Sequence, residues 1–277
     1  MRYRARSFLL RAGIWIDFGL ECFKFAAEGA EMKHIVKKYL AKNYVLINPV
    51  WKLYFKMFRG LRDHQPLRLE EDENIFQKIY LGNYWKDEES RSGPGSSLRY
   101  TAPIRRTLPV LFARYGMTSI LDAPCGDFNW MAHVDLGDRT YIGGDIVPEM
   151  VSALNERFAN PKRSFVVIDI TSTSVPGADV WMCRDVLFHI KFDAALATLR
   201  NFANSNIKYL LTTNYDLVDE NSDLEKTGGY RNINLLLPPF NLPKPIDQID
   251  DFVFPWRPRY LGLWTREQVA RAVAQTN

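Results

Sequence analysis

Three aspartates follow short apolar runs at nearly equal spacing along the chain. Asp145 comes 23 residues after Asp122, and Asp169 comes 24 residues after Asp145. Because the carboxyl ends of parallel strands meet at one edge of an open sheet, we expect these acids to line a single crevice. A carboxylate after the second strand can accept both hydroxyl hydrogens of a ribose. One after the third strand can accept from the exocyclic amine of adenine.

A second pair of chemically capable residues follows a fourth apolar run. Asp185 and His189 are four residues apart, so a helical turn over 185–189 would place them on one face. Histidine has an ordinary pKa of about 6.5, which suits a base at neutral pH. We take both residues as catalytic candidates. The alternative for His189 is a structural side chain that packs against the start of the next helix.

The elements that would position these residues alternate between strands and helices. Apolar runs rich in Val, Ile and Leu predict strands at 119–123, 141–146, 164–170, 178–183 and 208–213, and the intervening patterns predict helices at 102–116, 148–158 and 191–204. In the tail, 250–254 and 259–264 are predicted to pair antiparallel before a helix at 265–275 capped by Thr265. The pattern predicts an α/β fold with a mostly parallel sheet and helices on both faces.

Four motifs carry a family resemblance. LDAPCG begins at Leu121, YIGGDI at Tyr141, VVIDI at Val166 and ADVWMCRDVLFHI at Ala178. Together they resemble the motifs of class I S-adenosylmethionine-dependent methyltransferases, and the resemblance covers roughly residues 75–275. It implies a Rossmann-like, seven-stranded sheet of order 3-2-1-4-5-7-6 with the last strand antiparallel.

The resemblance also implies a cofactor site for S-adenosyl-L-methionine. The residues implied to bind it are Asp122, Cys125 and Gly126 for the methionine part, Asp145 for the ribose, Asp169 and Ile170 for the adenine, and Cys183 and Arg184 on the sulfonium side. The family's usual D-x-G-x-G-x-G would place glycines at 124, 126 and 128. Here Pro124 and Phe128 replace two of them, so the loop is expected to pass the methionine part differently.

Charge divides the chain into two predicted regions. Residues 1–66 form a basic helical extension with 13 Lys and Arg against 5 Asp and Glu, a net charge of +8. Residues 67–277 form the methyltransferase domain and have a net charge of −4. The extension is open to two interpretations: a helix on an anionic membrane surface, or an extra helix packed on the body or a partner. We favour packing, because most amphipathic helices face a core. Three widely spaced cysteines favour a cytoplasmic setting.

The resemblance implies an enzyme that methylates the oxygen of a small molecule or glycan. N-methylation of an amine or protein side chain is one alternative, and a catalytically inactive binding protein with the same fold is another. The segments 212–221 and 228–240 mix Asn, Arg and Tyr with apolar residues and do not indicate a basic groove with stacked aromatics, so nucleic acid is not expected as a partner. No metal site is predicted, although Asp185, Asn214 and Asp216 could supply oxygen ligands. The loop SRSGPGSS at 90–97 is interpreted either as a mobile flap or as a plain connection.

Overall fold

The structure is a computed structural model that describes residues 74–253 and 256–276. The predicted basic extension at 1–66 lies outside the described residues. Within the described part, seven strands form one sheet. They are β1 (Ser119–Asp122), β2 (Thr140–Asp145), β3 (Arg163–Val167), β4 (Val180–Cys183), β5 (Tyr209–Asn214), β6 (Asp247–Asp250) and β7 (Tyr260–Thr265).

The strand order is β3-β2-β1-β4-β5-β7-β6, as predicted. The first five strands run parallel to their neighbours, and β7 pairs antiparallel with both β5 and β6. All four residues of β4 are buried, which is typical of a central parallel strand covered on both faces. The predicted fold class is therefore confirmed.

Five α-helices accompany the sheet within the described residues. They are α1 (Ile75–Leu81), α2 (Leu98–Arg114), α3 (Pro148–Phe158), α4 (Phe192–Asn204) and α5 (Arg266–Val273). One core lies on the face covered by α4 and α5 and includes Trp181 and Trp264. The other lies on the face covered by α2 and α3 and includes Tyr141 and Phe165. None of the helices in 74–253 and 256–276 has both the length and the apolar character to cross a membrane.

At the tail, the structure corrects the position of one predicted strand and confirms one predicted helix cap. The strand expected at 250–254 is instead β6 at Asp247–Asp250, three residues earlier. There Asp250 accepts a hydrogen bond from the Phe252 amide, which turns the chain out of the strand. The predicted cap of the last helix is confirmed, because Thr265 accepts from the Gln268 amide in a capping box.

Phe128 explains how the loop after β1 tolerates a missing glycine. Its φ is +59°, in the left-handed region that favours glycine, as is the φ of +55° at Gly126. The Phe128 ring is fully buried, with its centroid 5.1 Å from that of Phe165 and 5.2 Å from that of Tyr141. The loop thus keeps a backbone conformation typical of glycine and gains core packing in exchange for strain of about 1–2 kcal/mol.

We expect Phe128→Gly to be more stable than Phe128→Ala by about 1 kcal/mol, because glycine relieves the strain that alanine retains. Both variants should lose several kcal/mol, since removal of a buried Phe typically costs about 3–5 kcal/mol. Urea unfolding measures the difference. At Phe165, a buried residue of β3, the alanine variant should instead be more stable than the glycine variant. A more stable alanine variant at position 128 would contradict the account.

Candidate functional site

The carboxyl ends of β1, β2, β3 and β4 meet at one edge of the sheet, and the loops that follow them form the candidate site. From β1 the chain continues to β2 and β3 on one side, and β4 then pairs with β1 on its other side. The strand order therefore reverses at β1. In open α/β sheets, ligands bind in the crevice at this reversal point.

Asp145 ends β2 and faces the loop after β1. Its carboxylate accepts hydrogen bonds from the amides of Gly126, at 3.0 Å, and Val147, at 3.3 Å. Burial raises the pKa of Asp145 to about 6, although these backbone hydrogen bonds act in the opposite direction. The next residue, Ile146, is an exposed apolar side chain. Asp145 is therefore a buried acceptor with an apolar surface beside it.

Asp122 has a different environment from the other two strand-end acids. It is 2% exposed, and its carboxylate accepts a 2.6 Å hydrogen bond from the Tyr141 hydroxyl within the core. Burial raises the pKa of Asp122 to about 7, while the Tyr141 hydrogen bond and the charge of Arg184 act to lower it. No local pattern predicts this tyrosine partner, because Tyr141 lies in an apolar run typical of a strand.

The loop after β1 packs against neighbouring backbone. The amide of Cys125 donates to the carbonyl of Gly144 in β2, and the Cys125 side chain is buried. Burial raises the pKa of the Cys125 thiol well above its usual value. Any Cβ at Gly126 would lie 2.4 Å from the Ser92 hydroxyl oxygen, so this position accepts only glycine without rearrangement.

The serine- and glycine-rich loop at 90–97 is tied to the loop after β1. The Asp127 carboxylate accepts from the Ser90 hydroxyl, at 2.9 Å, and from the Arg91 amide, at 2.8 Å. In return, the Asp127 amide donates to the Ser92 hydroxyl at 2.9 Å. The loop therefore covers part of the candidate site. Asp127 anchors this loop across 35 or more residues of sequence, a role that no local sequence pattern indicates.

Asp169 lies two residues beyond the end of β3 and is engaged by its own loop. Its carboxylate accepts from the Thr171 hydroxyl at 2.7 Å and from the Ser172 hydroxyl at 2.9 Å. Burial would raise the pKa of Asp169, but these hydrogen bonds outweigh it and lower the pKa. Ile170 is buried, and its carbonyl accepts from the Asn201 side chain of α4.

At the end of β4, Cys183 and Arg184 are both buried and face the interior. Burial raises the pKa of the Cys183 thiol. The Arg184 guanidinium lies 5.2 Å from the ring centroid of Trp130 and donates to the carbonyl of Gly95 at 3.0 Å. Arg184 thus connects β4 to the 90–97 loop.

Arg184 belongs to a buried cluster of two arginines and two aspartates. We name it the charge cluster: Arg184, Asp185, Asp251 and Arg259. Asp251 is fully buried and lies 3.1 Å from a nitrogen of Arg184 and 2.8 Å from one of Arg259. Both terminal nitrogens of Arg259 also contact the Asp185 carboxylate oxygens, at 2.9 and 3.0 Å. The arrangement brings residues far apart in sequence to the carboxyl end of β4.

The charge cluster determines the protonation of Asp185. Burial alone would raise its pKa, but the guanidinium groups of Arg184 and Arg259 outweigh burial and lower it. The Thr213 hydroxyl of β5 also donates to this carboxylate at 3.2 Å. Asp185 is therefore a poor proton acceptor. Its φ of +58° excludes a right-handed helix, so the expected helical turn over 185–189 is wrong.

His189 lies in a turn with aromatic neighbours. Its amide donates to the Val186 carbonyl, and its Nδ1 lies 2.5 Å from the Gly229 carbonyl oxygen. A carbonyl can only accept, so Nδ1 carries the proton and Nε2 is the basic nitrogen. The imidazole centroid is 5.4 Å from that of Trp85 and 5.8 Å from that of Tyr230.

Two of the oxygen ligands considered for a metal, Asp185 and Asn214, make other contacts. The Asn214 side chain accepts from the Leu235 amide at 2.6 Å and donates to the Tyr260 hydroxyl at 2.8 Å. Across residues 74–253 and 256–276, no group of three or more His, Cys, Asp or Glu side chains comes together as a possible metal site.

The strand order and the acid at the end of β2 decide the fold family. The order 3-2-1-4-5-7-6 with an antiparallel β7 is the order implied by the sequence motifs. The chain has the class I methyltransferase fold.

No protein-family model matches the chain, and no curated protein matches it. Solved methyltransferase structures resemble its fold at low identity. A Burkholderia thailandensis 1,6-didemethyltoxoflavin-N1-methyltransferase, solved with its acceptor and S-adenosylhomocysteine, is 16% identical over 73% of this chain and 94% of its own, with a TM-score of 0.49. The human N-acetylserotonin methyltransferase in complex with S-adenosylmethionine is 12% identical over 88% of this chain and 69% of its own, with a TM-score of 0.47. The magnesium protoporphyrin IX methyltransferase of Synechocystis with bound S-adenosylhomocysteine is 14% identical over 84% of this chain and 99% of its own, with a TM-score of 0.46.

The buried acids of this methyltransferase fold make its stability pH-dependent. The pKa of Asp122 is about 7 in the folded chain against 3.8 ordinarily, so the folded chain binds more protons between these values. The free energy of unfolding should therefore decrease as pH rises through this window. Asp122→Asn removes the titration and keeps an acceptor for Tyr141.

We expect the free energy of unfolding of Asp122→Asn, minus that of wild type, to increase by up to about 4 kcal/mol between pH 4 and pH 7. Above pH 7 this difference should level off. Urea unfolding at each pH measures it. Both proteins contain Asp145, so the titration of its carboxyl contributes to both stability curves. A stability difference that is constant with pH would contradict the assigned environment of Asp122.

Proposed function

We propose that this chain binds S-adenosyl-L-methionine at the carboxyl edge of its sheet and transfers the methyl group to an oxygen of a small molecule or glycan. The observation that carries the proposal is the Asp145 carboxylate, buried at the end of β2 beside the glycine turn at Gly126. When bound, the cofactor supplies an activated methyl group, and the chain's own residues bind, orient and exclude water.

The residues at this edge fit the cofactor in chemical type. Asp145 has carboxylate oxygens that can accept the hydrogens of a ribose, and Ile146 offers an exposed apolar surface to a purine. Asp169 and Ile170 are the proposed adenine neighbours. Gly126, with a φ of +55°, forms the glycine turn that we propose borders the methionine part. Asp122 and Cys183 are buried, so we assign them to supporting this surface.

Of the two catalytic candidates, we propose His189 as the acceptor of the substrate proton and Asp185 as a positioning residue. The Gly229 carbonyl holds His189 in the tautomer with a basic Nε2. Asp185 is instead held ionised by two arginines, which suits orientation better than proton transfer. A hydroxyl acceptor needs such a base, which is why O-methylation is favoured over N-methylation.

The surroundings of His189 support a small acceptor with an aromatic or apolar part. The Trp85 and Tyr230 rings lie near its imidazole. The Tyr230 hydroxyl lies 3.2 Å from that of buried Tyr215, which accepts from Arg259 at 3.1 Å. These groups combine flat apolar surface with hydroxyls, a mixture typical of small-molecule sites.

Asp145→Asn tests the cofactor site. At pH 8 we expect S-adenosylmethionine to bind about ten- to a hundredfold more weakly, because a hydrogen bond to a charged group contributes about 1.5–3 kcal/mol. Wild-type affinity should fall as pH drops through about 6, where Asp145 becomes protonated. The variant should lack this dependence.

Isothermal titration from pH 5 to 8 makes the measurement, with the exposed Asp138→Asn as a control that removes a charge elsewhere. Comparing variant with wild type at each pH cancels ionisation of the ligand itself. Equal affinity of Asp145→Asn and wild type at pH 8 would refute the ribose assignment.

His189→Gln tests the chemistry. A screen of hydroxyl and amine compounds with labelled methyl donor first identifies an acceptor. Turnover of the variant should then fall about 10²–10⁴-fold, the usual cost of losing a general base, while cofactor affinity is unchanged. His133→Gln, at an exposed histidine of the described residues that lies outside the proposed site, is the control and should retain turnover.

Full turnover by His189→Gln would contradict its proposed role. Tight cofactor binding by wild type with no turnover on any acceptor would instead favour the alternative of an inactive binding protein. Asp185→Asn is a poor substitute for this test. Unbalancing a buried charge cluster typically costs about 3–5 kcal/mol of stability, which would obscure an effect on catalysis.

A further inference from the structure

The start of α4 has a cap from a distant part of the chain. Lys191, at the N-cap position, makes no side-chain cap hydrogen bond. The first helical amide, that of Phe192, instead donates to the Asp223 carboxylate at 2.9 Å. Asp223 lies 31 residues later, in the irregular segment after β5, and its side chain is 44% exposed. A partly exposed carboxylate therefore occupies the positive end of the helix dipole.

Arg231 lies beside the same carboxylate and has unused hydrogen-bonding capacity. The residue is only 7% exposed, yet its Nε and Nη1 have no hydrogen-bond partner. Nη1 faces Asp223 at 3.6 Å, which is close enough for attraction but too long for a hydrogen bond. The guanidinium carbon lies 4.7 Å from the Phe192 ring centroid, at the first residue of α4.

This arrangement has the parts of an anion site with an imperfect occupant. Buried polar groups are nearly always hydrogen-bonded. Two guanidinium nitrogens that make no hydrogen bond therefore indicate donors available to another group. The planar fork of arginine matches carboxylate and phosphate oxygens, and a helix N-terminus favours the same charges. Burial also lowers the pKa of Arg231 to about 10, with Asp223 acting in the opposite direction, so the guanidinium remains charged at neutral pH.

We propose that Arg231 and the first turn of α4 form a subsite for an anionic group, carboxylate or phosphate, of the methyl acceptor, and that Asp223 occupies it when that group is absent. The identification of the anionic ligand as part of the methyl acceptor rests on the proposed function. The anion subsite itself rests only on the contacts of Phe192, Asp223 and Arg231.

The backbone connects this anion subsite to His189. The Arg231 amide donates to the Phe188 carbonyl at 3.2 Å, and the Gly228 amide donates to the His189 carbonyl at 2.6 Å. Two backbone segments, 187–192 and 228–231, thus carry both His189 and Arg231. An acceptor whose anionic group is bound by Arg231 would have its remaining part directed along these segments beside His189.

Asp223→Ala tests the subsite with inorganic phosphate as the probe. Removing the internal carboxylate should let phosphate raise the melting temperature at a concentration roughly tenfold lower than in wild type, since one charged hydrogen-bond partner is replaced by another. Titrations use the full chain at constant ionic strength, without methyl donor. Asp219→Ala, an exposed aspartate in the same segment, is the matched control and should respond like wild type.

A second substitution assigns the response to Arg231. Adding Arg231→Lys to Asp223→Ala keeps the charge but removes the fork, so the phosphate midpoint should rise at least tenfold. Acetate in a parallel titration distinguishes the two ligands: a response to both anions supports a carboxylate or phosphate subsite, and a response to phosphate alone supports a phosphate subsite.

An Asp223→Ala response no greater than that of Asp219→Ala would overturn the proposal, as would a midpoint unchanged by Arg231→Lys. Because no methyl donor is present, these outcomes are independent of whether the chain transfers methyl groups. Failure of S-adenosylmethionine to bind would refute the proposed function and leave the phosphate result standing.

Discussion

The charge cluster at the end of β4 is the interaction on which the arrangement of the site depends. Two arginines and two aspartates meet there, three of them buried and Asp185 partly buried, and each makes short contacts with oppositely charged neighbours. Such a cluster contributes little net stability, because desolvation offsets attraction, but removing one member leaves an uncompensated charge. Its effect is therefore to fix geometry. It joins the end of β4 to β5 through Thr213 and to the 90–97 loop through Gly95.

The proposed cofactor side of the edge depends on a second set of contacts, which involve backbone amides as well as side chains. Asp145 binds the Gly126 amide, and Asp127 binds the 90–97 loop, so the loop after β1 is held from both sides. Phe128 stands in this loop where the usual motif has glycine. Its backbone has a φ typical of glycine, while its ring fills the core between α3 and the sheet.

The sequence could predict the sheet and the position of Asp145 because both follow from local pattern: short apolar runs, each ended by a polar residue. It could not predict what each acid contacts. The partner of Asp185 is Arg259, 74 residues later, and no local signal links them. Asp122 accepts a hydrogen bond from Tyr141, whose place in an apolar run is typical of a core residue. Asp251 was expected within a strand at 250–254, but β6 ends at Asp250, one residue before it. Hydrogen bonds across long sequence separations depend on the whole fold, so only the structure reveals them.

We propose that the edge between β1 and β2 binds S-adenosylmethionine through Asp145. A crystal structure of the chain with S-adenosylhomocysteine tests it most directly. The account predicts both ribose hydroxyls within hydrogen-bonding distance of the Asp145 carboxylate, and the adenine in contact with Ile146. A ligand bound elsewhere on the chain, or one at this edge whose ribose does not contact Asp145, would contradict it.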